Sequence, residues 1–159
     1  MTDQAKIEKD FWDALDSDRT VMLARAGVET AAPRPMTAIV EEKPGPVWFF
    51  TARDTELMDG LAPGAGAMFT FSDKGHKVFA TVTGRLTEHT DPETVERLWN
   101  PFIGAWYEGK DDPKLVLLRF DPDQAEIWDS GNALVAGAKI LLSSDPGESM
   151  KDRVAHVNY

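Results

Sequence analysis

The chain has 159 residues, 42% of them apolar, a formal net charge of -10 and no cysteine. This predicts one compact domain with an ordinary core; it excludes disulfides and thiolate metal sites, and the acidic balance without a Lys/Arg cluster argues against nucleic acid. No amino-terminal apolar segment and no apolar run of bilayer length occurs, so the expectation is a soluble cytoplasmic protein with no membrane partner.

Ile7, Phe11 and Leu15, with Trp12 and Ala14, recur at helical spacing and predict an amphipathic helix over residues 4 to 16. Arg19 to Ala26 is rich in β formers and reads as a strand, and Gly27 to Pro33 as a connection. Ala32 to Thr51 then reads as two short strands joined by the turn Lys43-Pro44-Gly45-Pro46. Pro35 gives up a backbone donor, which suits an unpaired edge, and Val47 to Phe50 is a continuous apolar run closed by the hydroxyl of Thr51. In a hairpin of this kind Arg34 and Thr51 meet at one rim. A cation, a hydroxyl and aromatic rings at one rim suit a planar anionic ligand; the competing reading is a core hairpin with an arginine on its edge.

Asp54 stands where an N-cap would, and Leu57, Met58 and Leu61 predict a short helix stopped by Pro63-Gly64. Its first N–H groups would face the rim that holds Arg34. Ala67 to Ser72 and the long alternating stretch His76 to His89 predict two strands around the turn Asp73-Lys74-Gly75. Val78, Ala80, Val82, Gly84 and Leu86 share one face of the second, with Gly84 marking a bulge or a close backbone approach. Asp91-Pro92-Glu93 starts a helix with Val95, Leu98, Trp99, Phe102 and Ile103 as its apolar stripe, failing near Gly104. Lys114 to Phe120 and Gln124 to Trp128 read as two more strands separated by the turn Asp121-Pro122-Asp123. These elements predict an α+β, mainly β domain built on an antiparallel barrel, because most links are too short for parallel crossovers.

Trp99-Asn100-Pro101, Ala105-Trp106-Tyr107, Gly109-Lys110-Asp111-Asp112-Pro113, Leu117-Leu118-Arg119-Phe120 and Ala125-Glu126-Ile127-Trp128-Asp129 follow one another with characteristic gaps. Together with Arg34-Pro35-Met36 and Trp48-Phe49-Phe50-Thr51, they resemble the general-stress-protein branch of the pyridoxamine 5'-phosphate oxidase-like split barrels, from about residue 5 to 130. The resemblance implies a six-stranded antiparallel split β-barrel (Greek key) with flanking helices, a homodimer, and FMN bound in clefts between the subunits. The split-barrel domain is expected over residues 1–130; in the remaining extension, 131–159, a Gly-Asn-Ala-rich link, the apolar run Lys139 to Leu142 and a polar end predict a segment docked around Ala138 to Leu142 followed by a looser tail. By the same resemblance Arg34, Pro35 and Met36 line the flavin ring, and Phe50 and Thr51 reach the ribityl chain and phosphate. Thr55, Glu56 and Leu57 stand where many members keep a Ser-x-Lys or Ser-Arg-Lys group. Losing that lysine costs about 10- to 150-fold in phosphate affinity, and a carboxylate at about 5 Å would repel the phosphate further. Arg53 and the helix start at Asp54 are expected to compensate in part.

Trp106 and Trp128 carry two readings, core or interface aromatics on one side and covers of the flavin ring on the other. His76, His89 and His156 show no metal-ligand spacing, Gly64-Ala65-Gly66 lacks the lysine of a phosphate loop, and no nucleophile motif occurs, so no metal or hydrolase chemistry is expected. The functional expectation is an FMN-dependent oxidoreductase linked to stress. Its alternatives are a flavin carrier without turnover, and a vestigial barrel that survives only as a dimer.

Overall fold

The computed structural model describes residues 3–28, 32–130 and 153–159. Its first element is α1 (Asp3–Asp18), which buries Ile7, Phe11, Trp12 and Leu15, the face that their helical spacing predicts. β1 (Thr20–Arg25) is followed by β2 (Arg34–Thr37), β3 (Ile39–Val40) and β4 (Val47–Ala52). β5 (Ala65–Ser72) and β6 (Val78–Glu88) form a hairpin; α2 (Pro92–Leu98) and α3 (Pro101–Gly104) lead to β7 (Leu115–Asp129), and β8 (Val154–Asn158) closes the chain.

Every ladder is antiparallel, in the order β2-β1-β5-β6-β7-β4-β3, with β8 paired to β7. The sheet curls into a nearly closed barrel with a few helices, the class read from the sequence; it has 8 strands because β2 and β3 are separate pieces and β8 joins β7. α1 closes one side of the barrel, placing Phe11 against Phe71 at 6.0 Å, and its Trp12 Nε1–H donates to the Tyr159 hydroxyl at 3.0 Å. A second apolar cluster lies outside the barrel: Trp48, Leu115 and Leu117 take the opposite faces of β4 and β7 and are covered by Val95 and Leu98 of α2.

Five expectations are corrected. The segment after Arg34 does not pair as one strand with Val47–Ala52: β2 pairs with β1, and only Ile39 and Val40 meet β4, because the chain turns at Ala38, whose N–H donates to Arg19 O. The helix expected at Asp54 is only a 3-10 turn, Glu56–Met58; Thr55 precedes it with no side-chain cap, and Asp54 lies beside Lys114 at 3.6 Å. The helix starting at Asp91 ends at Leu98, because Asn100 caps a new start and Pro101 occupies its first turn. Asp121-Pro122-Asp123 is no turn but a bulge inside the continuous strand β7. At the carboxyl end, Ala138 to Leu142 lies outside the described residues, and the last residues, expected to be loose, form β8.

The bulge explains how a strand accommodates Pro122. β4 pairs with Leu115 to Phe120 and β8 with Gln124 to Trp128, so the proline falls between the two partners on that edge. On the other edge the register shifts between Thr83 and Gly84. A Cβ on Gly84 would stand 2.2 Å from Asp121 O and 2.8 Å from the Phe120 ring. Gly84→Ala must therefore push backbone as well as side chain, and we expect a loss of about 3 kcal/mol, the upper end for overpacking, as a lower urea midpoint with unchanged slope. A midpoint equal to wild type would show that the two strands are not in contact there.

Candidate functional site

β2 and β4 lie side by side without forming a ladder, and this unclosed seam of the barrel is a cleft of about 530 Å³. Its walls are Arg34, Pro35, Met36 and Thr37 from β2, Phe50, Thr51 and Ala52 from β4, Thr55, and Phe102, Ile103, Trp106 and Tyr107 from α3 and the loop after it. Each wall has a local cause. The β4 alternation sends Val47, Phe49 and Thr51 to the barrel side and Trp48 and Phe50 to the outer cluster, so the strand end offers the cleft an aromatic edge and a hydroxyl together. Phe50 is held edge-on by Trp99 at 6.2 Å, and Trp99 in turn lies 6.4 Å from Tyr107. The Asn100 side-chain Oδ1 accepts from Ile103 N at 3.0 Å, which fixes the turn that presents Phe102 and Trp106.

The cleft thus gathers Arg34, Pro35, Met36, Phe50, Thr51, Thr55 and Trp106 of the residues read from the sequence. Arg53 lies outside its walls, tied to Glu88 through Nη1 at 3.1 Å and Nη2 at 2.9 Å. Trp128 is on the outer face of β7, opposite Phe79 and Val154. Thr37, Ala52, Phe102, Ile103 and Tyr107 are additions; the signal for the last three was their place beside Trp106 in an aromatic-rich stretch.

Arg34 is the single charged side chain among these walls, and it makes no hydrogen bond or ion pair with a described residue. The Thr51 and Thr55 hydroxyls stand 3.3 Å apart, and Thr55 also donates to Ala52 O at 2.9 Å. Burial pushes the Tyr107 phenol up, with the charge of Asp112 adding to it, so this ring is neutral at physiological pH. Leu57 is buried to 2% exposure in the main core, and Glu56 is exposed and does not line the cleft. Glu56 thus stands outside the cleft walls, and position 57 offers them no cation. A smaller groove of about 310 Å³ on the outer sheet face is lined by Thr81, Thr83, Gln124, Glu126, His156 and Asn158 among others, with no aromatic wall. Flat apolar and aromatic walls, an unpaired cation and neighbouring hydroxyls fit a planar aromatic ligand with an anionic tail. Among the described residues no group of three or more His, Asp or Glu side chains is placed to hold a metal, and no helix is long and apolar enough to cross a membrane.

The sequence profile of the family described as Pyridoxamine 5'-phosphate oxidase like matches residues 6–150, and the chain belongs to that family. The general stress FMN/FAD binding protein of Xanthomonas citri is 51% identical, the match covering 87% of this chain and 99% of that one with a TM-score of 0.77. A Jannaschia sp. CCS1 protein assigned the name general stress protein 26 is 32% identical, with 98% and 99% coverage and a TM-score of 0.78. General stress protein 26 of Bacillus subtilis strain 168 is 28% identical over 53 residues, 33% of this chain and 38% of that protein.

The Arg53–Glu88 pair carries a pH signature. The Arg53 guanidinium holds the Glu88 carboxyl below the usual carboxylate range, against a partial opposing effect of burial, and the Thr90 hydroxyl helps. A depressed folded value means that the pair's contribution is complete above the ordinary carboxylate pKa of about 4.3 and is lost as pH falls through the lower folded value. The pair is half exposed, so it is worth at most about 1 kcal/mol. Arg53→Gln should lower the urea midpoint slightly at neutral pH, and the difference should shrink as pH is taken from about 6 towards 3. A difference independent of pH would assign the effect to packing.

Proposed function

We propose that this chain binds FMN in the β2–β4 cleft and works as a flavin-dependent oxidoreductase, as a homodimer. The observation that carries the reading is Arg34, without a partner among the described residues of a protein of formal charge -10 and set between aromatic walls and a pair of threonine hydroxyls. The Xanthomonas citri relative, described as FMN/FAD binding, supports it at 51% identity.

In this reading Pro35 and Met36 offer the ring a flat apolar face, Arg34 supplies positive charge, and Thr51 and Thr55 supply hydroxyl donors once their mutual contact yields. The flavin, when bound, brings the two-electron chemistry of its own ring. The chain keeps negative charge away from it: among the described residues no carboxylate lines the cleft, and Tyr107 stays protonated. Phe102 and Trp106, 61% and 74% exposed at the cleft mouth, are the surface a second copy would cover.

A carrier without turnover is the second reading, favoured by a cleft whose walls hold no side chain that exchanges protons near neutral pH. Steady reduction and reoxidation of bound flavin by a nicotinamide donor would decide for the oxidoreductase, and a stable complex inert to donors for the carrier.

Protein purified from cells should show flavin absorbance, and apo-protein should quench FMN fluorescence. Arg34→Ala should weaken FMN by about 30- to several-thousand-fold, as expected for truncating the charged partner of a desolvated phosphate, whereas Glu56→Ala should leave it unchanged. Equal affinities for wild type and Arg34→Ala would remove Arg34 from the site. No quenching by wild type at about 100 μM FMN would leave the vestigial barrel. Light scattering should give twice the chain mass of 17.6 kDa.

A further inference from the structure

Resting on the flavin reading above, we propose that Arg53 is a reserve cation for the cleft, held back by Glu88, and that Glu88 thereby sets how strongly the site prefers a phosphorylated flavin to an unphosphorylated one. A phosphate monoester carries close to two negative charges at neutral pH, and Arg34 is the single charged residue among the cleft walls. One of those charges is left without a partner. Arg53 is placed to meet it: Ala52 and Thr55 on either side line the cleft. Its own N–H donates to Lys114 O at 2.8 Å, extending the β4–β7 ladder by one residue. Arg53 is the first residue beyond β4 and stands two positions after Thr51, itself a cleft residue.

The arginine is the member of the pair that is free to leave. The Glu88 carboxylate is anchored from a second side, since Thr90 Oγ1 donates to its Oε2 at 2.9 Å while Leu117 N donates to Thr90 Oγ1 at 3.1 Å. Among the described residues Arg53 has no other side-chain tie: its guanidinium bonds Glu88, and its side chain is 51% exposed. Arg25, by contrast, is spent on the carbonyls of Leu57, Asp59 and Gly60 and has its Nε buried. An exposed ion pair is weak, and a hydrogen-bonded contact to a dianion in a partly dry cleft is stronger, so transfer of Arg53 from Glu88 to phosphate runs downhill. A flavin that lacks the phosphate gains nothing from it.

The experiment titrates FMN and riboflavin into apo-protein of the wild type, Arg53→Gln, Glu88→Gln and the double variant, following fluorescence quenching. Arg53→Gln should weaken FMN about tenfold, Glu88→Gln should tighten it about three- to tenfold, and the double variant should follow Arg53→Gln. Riboflavin should stay within about twofold throughout. Both positions are on the surface, and matching thermal melts would show that the variants fold. A ratio of FMN to riboflavin affinity that Arg53→Gln leaves unchanged, with both flavins bound, overturns this assignment and leaves the flavin reading standing. Binding of neither flavin by the wild type overturns both.

Discussion

At Gly84 the backbone of β6 comes so close to Asp121 O and the Phe120 ring that any side chain would collide, and the fold of the rest of the sheet depends on that approach. It marks the point where β7 takes in an extra residue and changes partner on its far edge, from β4 before the bulge to β8 after it. A bulge increases local twist and bends the strand that carries it. One long strand can then belong to two differently directed parts of the sheet. β4 stays paired with β7 through Ala52, while its other edge loses β3 after Trp48 and lies beside β2 without bonding to it, and the cleft is the gap that remains.

That origin accounts for the character of the site. A seam between two strand edges exposes backbone and alternate side chains of both, so apolar side chains and hydroxyls arrive together. β2 starts at its arginine and proline, and Pro35, lacking an N–H, asks nothing of the open edge. The aromatic wall comes from elsewhere, from the turn that Asn100 and Pro101 impose after α2, and it is braced by Trp99 between Phe50 and Tyr107. Positive charge is scarce because the surrounding cations are engaged: Arg53 by Glu88, Arg25 by loop carbonyls, Lys114 by Asp54. In a chain this acidic, an arginine with no partner among the described residues marks the site more sharply than a cluster would on a basic protein.

Much of this was legible in the sequence because it is local. The apolar spacing of Ile7, Phe11 and Leu15, the alternation from Val78 to Leu86, and the capping aspartate before Pro92 each express a preference of a few consecutive residues, and the structure follows them. The failures share a cause. Pro122 reads as a turn because its fit in a strand depends on Gly84, 38 positions earlier, and on an edge that changes partner. Arg34 and Thr51 do line one cleft, but through β2 pairing with β1, a register that no local turn signal specifies. The helix expected at Asp54 fails because Leu57 turns into the core and Arg25 draws the following carbonyls towards β1. Arg53 entered the candidate set on charge and proximity; its bond to Glu88 depends on tertiary placement across β7.

Leu57 connects the stability of the fold to the strength of the site. Burying this leucine stabilises the fold by roughly 1.5–3 kcal/mol, the same size as a charged contact to a phosphate. It fixes the Thr55–Gly60 loop from beneath, while Arg25 holds it from the β1 side. A loop secured in this way no longer needs a ligand to order it, so the rim of the cleft is formed before anything binds. Position 57 therefore offers the cleft no cation. Under the flavin binding proposed above, the charge for a phosphate would come from Arg34 and from a residue able to move, and an exposed pair of about 1 kcal/mol is weak enough to release one. In that reading preorganised walls hold the ring by shape and a conditional second cation distinguishes the tail by charge.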